Sequence, residues 1–186
     1  MRRDRYTRVA VALHWLIAAL LIGNLAAGLF VLGPLGSGDA DDRRLAATLV
    51  VLHEAVGFVV LGLTLLRLGW RLANPPPPLA DHLTPFERSL ARLSHVGFYV
   101  VVLALPLTGW AMVSMGPTGA PVLFGIPVST LPLPREWGRV LYTAHGWLGW
   151  LTAAMIVLHV AAALKHHWFD RDGTLARMLP WLVRRC

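Results

Sequence analysis

Apolar residues in this chain run in four long blocks, roughly 9–33, 46–73, 89–115 and 140–165, separated by short segments that hold nearly all of the charge. At a rise of 1.5 Å per residue each block exceeds the roughly 30 Å of a bilayer's hydrocarbon, so each predicts a transmembrane helix. The first block follows Arg2, Arg3, Arg5 and Arg8 in the manner of a signal peptide. Its length, well beyond a signal core of about 7 to 15 residues, predicts a retained helix instead. Between the blocks, Pro75 to Pro78 cannot continue a helix, and Thr84, Pro85 and Glu87 spell a capping box with proline at the first helical position. The third helix is therefore expected to start near Thr84. The 116–134 stretch contains Pro117, Pro121, Pro127, Pro132 and Pro134 and predicts an irregular loop folded over the bundle. Leu175, Met178, Leu179 and Leu182 fall at helical spacing, which predicts a short amphipathic tail helix over about 174–183. The expected fold class is all-α: an integral membrane four-helix bundle forming one domain over residues 1–186.

Composition agrees with that pattern, since 56% of the 186 residues are hydrophobic, 15% are charged and the mean hydropathy is +0.58. The net charge of +7 does not point to nucleic acid, because the basic residues flank apolar runs and form no separate domain; they read as topology signals and contacts to anionic membrane lipid. Thirteen of them lie at the N-terminus, between 67 and 92, and in the C-terminal tail, against four (Arg43, Arg44, Arg135 and Arg139) in the other two connections. The positive-inside rule then places both termini in the cytoplasm. The single cysteine, Cys186, excludes a disulfide framework or a zinc-type cluster, so ligand chemistry falls to histidine and carboxylate.

Four histidines lie deep in the apolar blocks: His14, His53, His145 and His159. Polar side chains at that depth are costly and mark functional sites, although any one of them could serve as a hydrogen bond between helices. His14 lies six residues inside Arg8 and His159 six inside Lys165, which sets both about 9 Å from the cytoplasmic helix ends. His145 lies six residues inside Arg139 and His53 about nine inside Arg44, at a matching level on the other side. The fourteen residues between His145 and His159 put both on one face of the fourth helix, about 21 Å apart. Each of the four is followed at i+4 by a small residue (Ala18, Gly57, Gly149, Ala163), which would let a flat ligand lie close, and small residues also serve helix packing. His95, with bulky Tyr99 at i+4 and only three residues from Arg92, reads as a residue supporting the site or sitting at headgroup level.

Two level histidines from facing helices suit a six-coordinate haem iron, which passes electrons and leaves no position open for oxygen. Zinc or iron transport is the competing chemistry. It ordinarily uses carboxylates, and Glu54, beside His53, is the one carboxylate inside these blocks. Glu54 is either a partner of His53 or a residue at the helix end facing water.

The order and spacing of several short motifs resemble the bacterial cytochrome b561 family, small four-helix di-haem proteins of the inner membrane. The likeness runs from Tyr6-Thr7-Arg8 and His14-Trp15 through Leu52-His53, the Arg67 to Pro78 exit and Ala104-Leu105-Pro106 with Gly109. It continues with His145-Gly146, the run from His159 to His167, and Arg177-Met178-Leu179-Pro180. The resemblance implies two haem b groups stacked across the bilayer, the inner held by His14 and His159 and the outer by His53 and His145, the pairing that depth also predicts. It further implies electron exchange with the quinone pool, with ubiquinone as acceptor. One branch is similar to a superoxide:ubiquinone oxidoreductase, which would oxidise superoxide at the periplasmic face. In that setting Arg135 and Arg139, with Arg43 and Arg44, are expected to guide a small anion or neutralise haem propionates, though arginines at helix ends are also ordinary anchors. On the inner side Arg8, Arg67, Arg71, His95, Lys165 and His166 are expected to meet propionates or a quinone headgroup. The alternative within the same likeness is a cytochrome b anchor that conducts electrons for a partner dehydrogenase or hydrogenase.

Overall fold

A computed structural model describes residues 5–79, 83–116 and 120–179. Four helices are long and apolar enough to cross a membrane: α1 (Arg8–Gly36), α2 (Ala40–Ala73), α3 (Pro85–Ser114) and α4 (Gly138–Lys165). Each boundary has a local cause. Thr7 caps α1 by accepting from the Ala10 N–H at 3.2 Å, and the same hydroxyl accepts from Trp70 Nε1 at 2.9 Å, which ties the start of α1 to the last turns of α2. α1 is not a uniform helix. Residues Ala27–Val31 wind as a π segment before the α-helical turn Leu32–Gly36.

α2 begins six residues before its apolar block. Asp39 accepts from the backbone N–H groups of Asp41 and Asp42, and these two acids occupy the first turn, where they complement the helix dipole. The charged run Asp41 to Arg44 hid this turn from a reading by hydropathy, and the connection after α1 shrinks to Ser37–Asp39. At α3 the capping box forms as expected: the Thr84 hydroxyl accepts from Glu87 N at 3.2 Å, and Glu87 Oε2 accepts from Thr84 N at 3.0 Å. Thr84→Ala is expected to lower stability by about 1 kcal/mol, read as an earlier melting midpoint in detergent with unchanged helicity.

Helices adjacent in sequence pack together, and α1 meets α4 through its π segment, so the four close into an up-down bundle. Leu25 and Leu29 fill the space over Gly149, and Phe30 meets Trp150 edge-on at 5.8 Å. The core at mid-depth consists of Ile17, Val60, Val101 and Val102, with Leu20, Val56, Phe98, Leu148 and Met155 packed around them. Large apolar side chains such as Leu66, Val157 and Leu158 cover the outside, as lipid-facing positions require.

The loop after α3 holds a small antiparallel hairpin, β1 (Val122–Leu123) and β2 (Ile126–Pro127), which packs against α2. Phe124 and Gly125 both take positive φ, the type I′ geometry of a two-residue hairpin turn. Trp110 Nε1 donates to Ser129 O at 3.0 Å and holds the returning strand to α3. Prolines alone suggested irregular chain here. At the other end, the expected tail helix over about 174–183 is reduced to a 3₁₀ turn, Leu175–Arg177, and residues 180–186 lie outside the described residues. That segment is pinned by long-range bonds: Trp15 Nε1 donates to Met178 O at 2.9 Å, and Arg177 donates to Pro78 O at 2.8 Å. The Trp15 indole thus takes up the Met178 carbonyl, and the Arg177 side chain ties the turn to the proline exit.

Candidate functional site

The bundle brings the deep histidines together in pairs at two levels, one at the hairpin end and one at the end carrying the termini. At the hairpin end, His53 of α2 and His145 of α4 have ring centroids 6.1 Å apart with planes at 78°. At the termini end, His14 of α1 and His159 of α4 are 6.3 Å apart at 69°. Two metal–nitrogen bonds of about 2.0 Å on opposite sides of one ion, with about 1.1 Å from each nitrogen to its ring centre, add to about 6.2 Å. Both pairs therefore stand at the separation of two imidazoles bound across one metal. The helices within each pair are not tightly packed neighbours: α2 and α4 face each other across the bundle, and α1 touches α4 chiefly through the π segment. The gap between them is bridged by the rings.

The surroundings of His145 settle its tautomer. Its Nδ1 lies 3.1 Å from Leu105 O, and a carbonyl can only accept, so Nδ1 carries the proton and leaves the Nε2 lone pair for a metal. Thr108 closes the same corner; its hydroxyl donates to Ala104 O and Leu105 O at 2.8 Å and lies 3.2 Å from His145 Nδ1. Across the gap, the backbone carbonyl of His53 accepts from Asn24 Nδ2 at 3.2 Å, while its buried Nδ1 has no hydrogen-bond partner among the described residues. Glu54, half-buried one residue on within α2, thus neither holds His53 Nδ1 nor sits at a helix end, because α2 begins at Ala40.

The termini end holds a third ring. His95 of α3 lies 6.3 Å from His159, and Phe98 lies 5.2 Å from it. Arg67 donates to Ala10 O at 3.2 Å, and Arg71 stands 5.8 Å over the Tyr99 ring. These two arginines share a groove with Arg5, Thr7, Trp70 and Asn74, and no carboxylate lines it among the described residues. Among the described residues no group of three or more His, Cys, Asp or Glu side chains is placed to hold a bare metal ion. Paired imidazoles that supply only two ligands suit a metal already held by a macrocycle.

A family model described as prokaryotic cytochrome b561 matches residues 5–181. The chain belongs to the prokaryotic cytochrome b561 family. It is 30% identical over 180 residues to "Cytochrome b561 homolog 2" of Escherichia coli (strain K12), covering 95% of this chain and 92% of that protein. It is 27% identical over 177 residues to "Probable superoxide oxidase CybB" of Yersinia pestis, covering 95% and 96%, and 27% identical over 180 residues to "Cytochrome b562" of Cereibacter sphaeroides, covering 94% of each. Membership makes the chain a bacterial membrane protein that carries electrons with haem b.

Within this b561-family bundle the remaining candidates are placed unevenly. Arg67 and Arg71 reach the groove beside the termini-end pair, whereas Arg8 is exposed at the start of α1 and the groove takes Arg5 in its stead. Lys165 is committed elsewhere: its ammonium donates to Glu87 and to Asp170, both at 2.9 Å, joining α4 to the capping box of α3. His166 Nδ1 lies 2.7 Å from Asp170 Oδ2. Arg135 and Arg139 are exposed one turn apart where α4 begins, without an ion pair among the described residues, while Arg44 pairs with Asp41 at 3.5 Å. His95, expected on the inner side beside propionates or a quinone headgroup, lies in the termini-end cluster, 6.3 Å from His159. Gly28 and Gly109, which no signal in the sequence marked, lie against the rings of His53 and His145.

Proposed function

We propose that this protein binds two haem b groups, one between His14 and His159 and one between His53 and His145, and uses them to pass electrons from superoxide to ubiquinone. The observation that carries the reading is the pair of imidazole separations, 6.3 Å and 6.1 Å, at two levels of one bundle. The protonated His145 Nδ1, which leaves Nε2 for a metal, fits the same assignment. His14 and His95 both stand 6.3 Å from His159; His14 is taken as its partner on its matching depth six residues inside the helix end and on the family resemblance. Iron held by two imidazoles exchanges single electrons and offers no open position to oxygen.

The residues around the pairs have separate tasks. Arg67 and Arg71 supply positive charge to propionates at the termini end, and His95 joins them. The apolar core of Ile17, Val60, Val101 and Val102 lies between the two levels and separates them with packed side chains. Arg135 and Arg139, exposed where α4 begins with Glu136 between them, supply local positive charge that meets a small anion at the hairpin end. Two superoxide ions lose one electron each to become oxygen, and ubiquinone takes up both electrons with two protons to become the quinol. The distribution of basic residues supports cytoplasmic termini in the inner membrane, with superoxide met at the periplasmic hairpin end. The relative from Yersinia pestis supports the choice of donor.

The test is stopped-flow mixing of superoxide with the oxidised, purified protein, followed at the haem bands with ubiquinone present. Prompt reduction of the bands and accumulation of quinol are expected. Reduction only with a co-purified dehydrogenase would replace this reading by that of an electron-conducting anchor.

A further inference from the structure

The hairpin-end pair is held differently from the termini-end pair. Among the described glycines, two lie against a histidine ring, and both belong to the hairpin-end level. A Cβ built on Gly28 would meet His53 Cε1 at 3.0 Å, and one on Gly109 would meet His145 Cε1 at 3.2 Å. Both distances are shorter than a side-chain carbon tolerates without movement of its neighbour. Gly28 belongs to α1 and Gly109 to α3, the two helices that supply no ligand at this level. Two helices thus present imidazoles across the bundle, and the other two present bare backbone against which one edge of each ring rests.

Each contact coincides with an irregularity that aims it. Gly28 sits in the π segment, where the extra residue per turn displaces the backbone, and π segments recur at functional sites. Gly109 follows Pro106 by three residues, next to the Leu105 carbonyl and Thr108 hydroxyl that surround His145 Nδ1. His145 is therefore fixed on two sides, by a hydrogen bond and by close packing. His53 has no partner at Nδ1, so the Gly28 backbone is what limits its rotation. The rings at the termini end have no glycine against them among the described residues; there His159 is flanked by His95 and Phe98.

We infer that Gly28 and Gly109 are positioning residues for the hairpin-end imidazoles, setting the angle at which His53 and His145 face the metal between them, and with it the retention and electronic character of that one haem. The inference rests on the two-haem reading above. Its test compares Gly28→Ala and Gly109→Ala with Gly23→Ala, a control on α1 whose added methyl meets nothing within 4 Å. Each full-length variant is purified and read by haem content per chain, by the low-spin electron paramagnetic resonance of the oxidised protein, and by haem release to apomyoglobin. His145→Ala identifies which resonance belongs to the hairpin end.

The expected result is that Gly28→Ala and Gly109→Ala displace the same resonance, the one missing in His145→Ala, and release that haem roughly ten- to a hundredfold faster, the usual effect of disturbing a ligand's support. The other resonance and the Gly23→Ala protein should match the wild type. Unchanged resonances, displacement of different ones by the two variants, or loss of both haems together would overturn the inference. A wild-type protein lacking two low-spin resonances would overturn the two-haem reading itself.

Discussion

Replacing His145 with alanine is expected to leave a chain that carries one haem b where the wild type carries two, and His53→Ala should remove that same haem. His14→Ala and His159→Ala should each remove the other. The expectation follows from the rings: 6.1 Å within the first pair and 6.3 Å within the second, with the partners on different helices. An iron deprived of one of two imidazoles loses its low-spin character, and a haem held by a single bond is no longer clamped between helices. Pyridine haemochrome content with reduced-minus-oxidised spectra reads the outcome. Loss of different haems within either pair would break the assignment. His95→Ala is the decisive companion, since His95 lies as far from His159 as His14 does. It should retain both haems, with at most a shift in one band, because its assigned partners are propionates. If His95→Ala lost the termini-end haem and His14→Ala kept it, the ligand would be His95.

The second large effect is expected in the apolar layer between the levels. Val60 is 2% exposed and packs in the core with Ile17, Val101 and Val102. Val60→Asp places a carboxylate where nothing in that core can pair with it, at a cost of several kcal/mol. The variant should accumulate poorly and melt far below the wild type in detergent. Val60→Ala separates polarity from volume: it leaves only a cavity, costs about 1–3 kcal/mol, and should keep both haems. A Val60→Asp protein as stable as Val60→Ala would show that water reaches this layer, contrary to its role as an insulator between the two sites.

Much of this protein was legible before any tertiary contact was known. Burying about twenty apolar residues in lipid leaves no choice but a helix that satisfies its own backbone, so hydropathy alone located all four spans. The capping box at Thr84 was equally local, since a hydroxyl and a carboxylate three residues apart need only each other. The levels of His14, His53, His145 and His159 followed from the 1.5 Å rise, because depth in a straight helix is a count of residues. Where charge interrupted the pattern, as from Asp41 to Arg44, the count misplaced the start of α2, although the helix was present.

Contacts between distant parts of the chain were another matter. Gly28 is one of seventeen glycines and carries no mark in the sequence; it matters because a π segment turns it toward a ring on another helix. The inner side of His95 was legible from its depth, but its approach to the His159 ring depends on α3 packing against α4, a choice of neighbours that no spacing within α3 encodes. Lys165 is engaged by two carboxylates, one of them from α3, a pairing that only the bundle brings together. The described part of the tail forms a 3₁₀ turn, with side-chain bonds from Trp15 to Met178 O and from Arg177 to Pro78 O. Spans, depths and caps depend on interactions within a few residues of one another, and the sequence determines them directly. Ring orientation, the third histidine and the disposition of the arginines depend on which helices become neighbours and how closely they approach, and that is settled only when the bundle closes.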